Sequence, residues 1–417
     1  MSHKQPLASA TCEGNWRDDA VHQAWLLRDA VRQLDFFRRS LRPDQGFDVL
    51  EWDGTPRACM PQELHFTTRL IHSYALASTL GDCGAEAIID AGMDCLWNGH
   101  RDTTHGGYVW SIDSDIAADA SKLAYGHVFV LLAGASARQA GHPDADRLID
   151  DVTAVIDRHF WDDDHGLLRE EFNADWSPLS SYRGMNANMH GVEALLAAFE
   201  ATGREIYLDR AGRILDFFVN RIAPEHHWRI PEHYSEDWQL DRAYAGNPMF
   251  RPAGTTPGHS LEFGRLLMQH WDLAGRPEDQ VPERARKLIE RALDDAWLAE
   301  GGLCYTLDYS GEIAIRDRYW WPVAEAIGAI STLQLIDPRD SDETWYRKLW
   351  RFAEGHFIDH DNGGWYPELD EGGGPVERQF HGKPDVYHSL QAVLLPLAGS
   401  ISRPFSSLRK KFGSTPN

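Results

Sequence analysis

Histidine, glutamate, arginine and asparagine recur at matching places in this 417-residue chain, each time just inside the start of an apolar run with helical spacing. The clearest case is Thr255-Thr-Pro-Gly-His-Ser-Leu-Glu-Phe-Gly-Arg-Leu-Leu-Met268. A Pro-Gly pair interrupts the backbone, and Leu261, Leu266 and Leu267 follow at helical spacing, so a helix starts near His259. His259 and Glu262 then share one face and can serve one site. An imidazole beside a carboxylate suits general acid–base work, because the ring gains and loses a proton near neutral pH. A lone instance also reads as a first-turn histidine with an acid that complements the helix dipole. Similar segments elsewhere carry the argument past that reading.

His65 and Arg69 stand one turn apart on a run through Leu64, Leu70, Ile71, Tyr74 and Leu76. Lys122, Tyr125 and His127 open another run, and Asn186 and His190 a third. Trp321 and Glu325 share a face of a fourth, and Asp385 and His388 of a fifth. Arg69, His190, Glu325 and His388 lie a turn or more inside apolar helices, where a polar group without a partner or ligand is costly. A polar pocket with aromatic walls is the expected result. The histidines raise the question of a metal, but no His-x-Glu-x-His or paired-His spacing occurs on one helix, and no metal site is expected. His226, His227 and His233 fall in a connecting segment and read as a solvated cluster.

The elements that must position these residues form a repeat. Extended stretches begin at Gly46, Gly106, Gly166, His227, Gly301 and Gly363, and each leads into helical periodicity. After the helix of His65, first helices fall near residues 121–139, 186–202, 258–274, 321–335 and 384–399, and second helices near 84–98, 144–160, 205–221, 282–298 and 341–356. A period of roughly 60 to 70 residues, each copy a short hairpin or loop and then two helices, marks a repeat architecture. The last copy lacks its second helix. An extra amphipathic helix, residues 16–41, precedes the first copy, with Trp25, Leu26, Ala30, Val31, Leu34 and Phe37 on its apolar stripe and Pro43 beyond its end. A closed ring in which that helix completes the last pair satisfies both facts. The expected fold is an all-α (α/α)6 barrel, one catalytic domain over residues 1–417 with loose ends at 1–14 and 404–417. An open solenoid would want polar caps, and both terminal helices carry broad apolar faces.

Composition narrows the ligand. A formal net charge of −23 repels a phosphate backbone, and the only basic tract is Arg409-Lys-Lys411, which argues against nucleic acid and anionic membranes as partners. No run of about eighteen apolar residues and no apolar signal core is present, so a cytoplasmic protein that does not cross a membrane is expected. Cys12, Cys59, Cys83, Cys95 and Cys304 are scattered without Cys-x-x-Cys spacing, which suits a reducing compartment. The 16 tryptophans favour a ligand on which flat rings can stack, and the apolar face of a sugar is one.

At Asn186-Ala-Asn-Met-His190, Thr256-Pro-Gly-His-Ser-Leu-Glu262, Trp321-Pro-Val-Ala-Glu325 and Tyr387-His388 the sequence resembles the N-acylglucosamine 2-epimerase superfamily. Leu64-His-Phe-Thr-Thr-Arg69 and Arg183-Gly-Met-Asn-Ala-Asn-Met-His190 look most like its aldose–ketose isomerase branch. The resemblance covers nearly the whole chain and implies an (α/α)6 barrel. It also implies a cofactor-free, metal-independent enzyme for a monosaccharide, interconverting D-mannose and D-fructose, and D-lyxose with D-xylulose, through a cis-enediol. By the same resemblance His388 shuttles the proton between C2 and C1, and His259 assists ring opening and proton transfer at the oxygens. Glu262 and Glu325 orient imidazoles or bind hydroxyls, and Arg69 stabilises the enediolate oxygen. Asn186 and His190 bind hydroxyls, Trp321 supplies a stacking face, and Tyr125 and His65 complete the substrate set. Relatives acting on sulfoquinovose carry an aromatic residue where this chain has His65, which favours an uncharged sugar; Arg251 is the candidate for an anionic substituent. A sugar 2-epimerase of the N-acylglucosamine or cellobiose type and a sulfoquinovose isomerase are the alternatives within the family. Outside it stand an (α/α)6 glycoside hydrolase using Glu262 and Glu325 as a carboxylate pair, and a sugar-binding protein without turnover. A monomer or homodimer is expected.

Overall fold

Two kinds of helix alternate along the chain, one apolar on every face and one apolar along a stripe, and that difference sorts them into two rings. Helix α1 (Ala20–Phe37) comes first. The pairs α2 (Leu64–Ser78) with α3 (Ala85–Asp94), α4 (Ala124–Ala140) with α5 (Ala145–Val155), and α6 (Met185–Thr202) with α7 (Glu205–Leu215) follow. After the single turn α8 (Ala223–Glu225) come α9 (Pro257–Leu273) with α10 (Val281–Ala296), α11 (Trp320–Ile336) with α12 (Asp340–Phe352), and then α13 (Tyr387–Ala398) and α14 (Pro404–Phe412). In this computed structural model residues 6–43, 46–58, 60–113, 116–244, 246–247 and 250–413 are described; Cys59 and the chain ends 1–5 and 414–417 lie outside the described residues.

Every residue of α11 from Trp320 to Gln334 is buried, whereas α10 buries only the stripe through Ala285, Leu288, Ile289, Ala292 and Leu293 with Arg286 and Ala296. Helices buried all round form the inner ring α2–α4–α6–α9–α11–α13, and α13 meets α2 to close it. Helix α1 packs on α13 as its outer partner, which makes this the (α/α)6 barrel expected. Trp25 meets Trp350 edge to face at 5.3 Å, and Asp29 accepts the Trp365 indole N–H at 3.2 Å. These contacts tie the N-terminal helix to the last two repeats.

Short antiparallel pairings hold the rim at the N-terminal ends of the inner helices. Gln62 pairs with Ile112, Lys122 with Phe172, Arg183 with Tyr234, Thr255 with Leu307 and Arg318 with Leu369, each linking one repeat to the next. The pairing of Lys383 with Leu50 links the last repeat to the first. Lys383 is fully buried there, and its Nζ donates to Asp359 Oδ2 (2.6 Å), Gly363 O (2.6 Å) and Trp52 O (3.0 Å). Three acceptors satisfy all three ammonium hydrogens, which a buried lysine requires. Gly364 turns through φ 72° beside it, where a Cβ would press on Lys383 and Phe37, so a side chain there would be strained.

The observed boundaries depart from the periodicity in instructive places. Residues 122–123, expected in a helix, form a strand because Lys122 reaches back to Asp102 at 2.9 Å. Residues 384–386 also precede their helix: Asp385 accepts the Tyr387 amide at 3.0 Å and starts α13 there. Helices α3, α5, α7 and α12 run on into wide π turns at Cys95–His100, Ile156–Phe160, Asp216–Ile222 and Ala353–Phe357. The ends expected to be loose are packed where described. Ala8 is buried, Ser9 Oγ donates to Asp19 at 2.8 Å, and α14 buries Phe405 and Leu408. Phe405 lines a cavity of about 50 Å³ at the far ends of the inner helices and closes the barrel there. Among the described residues no helix is long and apolar enough to cross a membrane.

Candidate active site

The first turns of all six inner helices converge at the strand-lined rim on one cavity of about 130 Å³. His65 and Arg69 enter it from α2, Tyr125 from α4, Asn186 and His190 from α6, and His259 and Glu262 from α9. Trp320 and Trp321 come from α11 and His388 from α13, while Phe250, Tyr305 and Phe380 are supplied by the rim loops.

Two of the imidazoles are held alike. His388 Nδ1 lies 2.8 Å from Glu325 Oε1, and His259 Nδ1 lies 2.9 Å from Glu232 Oε1. With Nδ1 engaged by a carboxylate, Nε2 on the opposite edge of each ring is left for the cavity. Trp321 lies between them, stacked on His259 at 5.0 Å and tilted to His388 at 5.8 Å. Gly258 permits that stack, since a Cβ there would fall 2.4 Å from the Trp321 ring. Glu262 shares a helix face with His259 but is not its carboxylate partner; that place belongs to Glu232.

Glu325 also receives Arg265 Nη2 at 3.3 Å. Burial alone would raise its carboxyl, but the charges of Arg265 and His388 outweigh burial and hold it below the usual range. Glu262 goes the other way. Burial, reinforced by the neighbouring Glu325 and Glu193, pushes its carboxyl well above the usual value. Its two oxygens, like Asn186 Oδ1, are buried with no hydrogen-bond partner among the described residues. Groups of this kind want donors, and a polyhydroxylated ligand carries them.

Arg69 donates to Asp385 Oδ2 (2.7 Å) and to the Tyr125 hydroxyl (2.8 Å). Burial pushes the Tyr125 phenol up to about 12, so it stays a neutral donor and acceptor. His65 stacks on Trp110 at 5.2 Å, and burial with the nearby Arg69 charge pushes it down to about 3. Burial lowers His190 to about 4 against the opposing pull of Glu193. Both rings are therefore neutral at pH 7.

Other residues singled out in the sequence lie elsewhere. Arg251 is outside the cavity lining; its guanidinium donates to Glu171 at 2.6 Å and covers the Tyr182 ring at 4.2 Å. A side chain so engaged is not free to hold an anionic substituent of a ligand in this cavity. His233 is buried between Tyr182 (2.9 Å) and Pro252 O (2.6 Å), which corrects the solvated reading for that residue, whereas His226 is half-buried and His227 exposed. Lys122 and His127 are buried structural groups, the latter accepting the Tyr108 amide at 3.0 Å.

Below the cavity, Glu193 accepts from the Tyr387 hydroxyl and from Gln391 at 3.3 Å. His190, Glu193 and Glu262 bring ligand-type atoms within 4.8 Å of one another, the described set nearest to a metal site. Tyr387 already engages Glu193, and the Arg265 guanidinium lies 3.8 Å from Glu262, so two of the three carry competing partners. Glu193 and Arg265 sit one turn beyond His190 and Glu262, a spacing the sequence displays. Glu232 and Tyr305 come from connecting segments and carry no periodic signal.

A site of this composition can move protons on a small polar molecule, inside a barrel that brings six helix ends to one mouth. The chain belongs to the N-acylglucosamine 2-epimerase family, whose profile matches residues 46–392. It is 41% identical to the D-mannose isomerase of Thermobifida fusca over 401 residues, covering 93% of this chain and 98% of the relative. It is 37% identical to the D-mannose isomerase of Pseudomonas cannabina pv. alisalensis, with 94% and 98% covered. A crystal structure of a D-mannose isomerase matches the fold with a TM-score of 0.85 at 32% identity, over 90% of this chain and 97% of that one.

Proposed function

We propose that this protein is a cytoplasmic aldose–ketose isomerase that interconverts D-mannose and D-fructose, and D-lyxose with D-xylulose, with the whole chain acting as one catalytic domain. The observation that carries the reading is His388, held through Nδ1 by a buried carboxylate and presenting Nε2 to a cavity lined by hydrogen-bonding groups and the Arg69 guanidinium. On the open-chain sugar His388 removes the C2 proton and returns it to C1, while a hydroxyl proton passes from O2 to O1. The balance needs no oxidant, reductant or metal. A positioned base of this kind contributes about 10²- to 10⁴-fold. The Arg69 guanidinium faces the enediolate oxygen and adds a comparable electrostatic effect, about 10²- to 10³-fold. His259 serves ring opening and the oxygen protons, Asn186 and His190 bind hydroxyls, and Trp321 carries the sugar's apolar face. The protein acts as a monomer or homodimer.

A second reading is favoured by one observation: two imidazoles, His259 and His388, line the one cavity and both contact Trp321, and a second proton carrier also serves 2-epimerisation by reprotonation from the opposite face. Incubation with D-mannose in D₂O separates the two. The isomerase reading expects fructose, with any solvent deuterium at C1; glucose labelled at C2 with little ketose would overturn it. Turnover that survives exhaustive EDTA treatment is expected.

A further inference from the structure

Glu232 lies on the segment between α8 and α9 and is buried at the cavity's edge. Its Oε1 is 2.9 Å from His259 Nδ1 and also accepts the Thr256 amide at 3.1 Å. Thr256 immediately precedes α9, so one carboxylate oxygen holds both the helix start and the first-turn imidazole. The Glu232 backbone is anchored in turn, its amide donating to Gly254 O at 3.1 Å and its carbonyl accepting the Met185 amide of α6 at 3.0 Å. On its other side His259 is backed by the Trp321 indole, which sets the plane of the ring.

The two carboxylate–imidazole pairs differ in one respect. Glu325 divides its charge between His388 and Arg265, whereas among the described residues no lysine or arginine lies within 4.0 Å of Glu232, and His259 is its sole ion-pair partner. The undivided carboxylate gives more stabilisation to a cation formed on its imidazole.

We propose that Glu232 is the positioning residue of His259. It keeps the ring hydrogen on Nδ1, aims Nε2 into the cavity, and stabilises the imidazolium formed when His259 takes a proton from a sugar oxygen. This assignment of work at the oxygens rests on the isomerase reading, and it separates the two histidines: His259 carries charge at oxygen while His388 moves the carbon-bound proton.

The test uses the full-length protein with Glu232→Gln, which keeps the shape and an acceptor oxygen but loses the charge, and Glu232→Ala, which loses both. Steady-state rates on D-mannose, melting temperature, and the ring ¹⁵N shifts of His259 are measured for each. Both variants are expected to lower kcat by about 10- to 100-fold with little change in KM. The Nδ1–H tautomer should persist in Glu232→Gln and give way to a mixture in Glu232→Ala. A kcat within twofold of the parent in both variants would overturn the proposal, as would a loss traced wholly to a lower melting temperature. If the parent protein turns over no aldose, the isomerase reading fails by itself, and the ¹⁵N tautomers still decide whether Glu232 positions His259.

Discussion

Arg69, on the first inner helix, donates to Asp385 at the entrance to the last at 2.7 Å, and both side chains are buried. The guanidinium is held between the rings of Phe129 and Tyr387, 4.8 Å from each centroid. One ion pair thus bridges the seam where the barrel closes and fixes the cation that faces the cavity. Because a buried charge stripped of its partner is costly, Asp385→Ala should destabilise the protein by about 3–5 kcal/mol. Arg69→Lys keeps the charge but loses the planar fork, so it should cost less stability and about 10²-fold in kcat. Urea unfolding and initial rates on D-mannose check both; a fully stable Asp385→Ala would mean that the seam does not depend on this pair.

Four histidines away from the cavity set an acid limit on stability. Burial lowers His22, His72 and His100 to about 4 and His127 to about 3. Unfolded, each binds a proton near its ordinary value of about 6.5, so below that pH the unfolded chain holds more protons and stability falls as pH drops towards 4. Each group contributes about 1.4 kcal/mol per pH unit across that window. Urea midpoints should drop steeply between pH 7 and pH 5.5, and His100→Gln should flatten the slope by one proton. Equal midpoints at the two pH values would refute this.

The ring was legible because inner and outer helices answer to different burial. The run Trp320 to Gln334 is buried on all faces, α10 is striped, and the spare first helix has one possible place. Polar residues inside apolar runs marked the cavity wall well: of Arg69, His190, Glu325 and His388, three reach it, and Glu325 stands behind His388. The groups that hold those residues were less visible. Glu232 reaches His259 from a connecting segment, and Lys122 and Lys383 act through two-residue pairings too short for any period to reveal. Arg251 shows the reverse error: a free-standing cation in the sequence is already engaged by Glu171 once the chain folds.

Phe405 closes the barrel at the end opposite the cavity, lining the small void with Leu76, Leu132 and Leu394 and meeting His72 edge to face at 6.4 Å. Truncating a buried phenylalanine costs about 3–5 kcal/mol when its surroundings cannot collapse. Phe405→Ala should therefore lower the melting temperature and leave kcat and KM on D-mannose unchanged well below it, because Phe405 is not part of the active-site cavity wall. Loss of activity in fully folded protein would show that the two ends of the barrel are coupled.

Glu262 offers the sharpest test of how the cavity is charged. It lies 3.6 Å from His190 Nδ1 and 3.8 Å from Arg265, and burial beside Glu325 and Glu193 raises its carboxyl well above the usual range. A carboxyl that holds its proton more firmly than usual can, in its protonated form, donate a hydrogen bond to a sugar oxygen, and an amide of the same shape can donate one too. Glu262→Gln should then retain kcat/KM within about tenfold, while Glu262→Ala, leaving a void and no donor, should lose about 10²-fold or more. Stability supplies the second arm. With its folded value raised, the unfolded chain releases this proton first, so the stability present below about pH 4.5 is lost as pH rises towards the folded value. Glu262→Gln lacks that loss, so its stability relative to the parent should rise as pH increases from 5 to 8. Urea unfolding at pH 5, 6.5 and 8 reads it directly. A glutamine variant that is less stable at every pH and nearly inactive would mean that the carboxyl works as an anion.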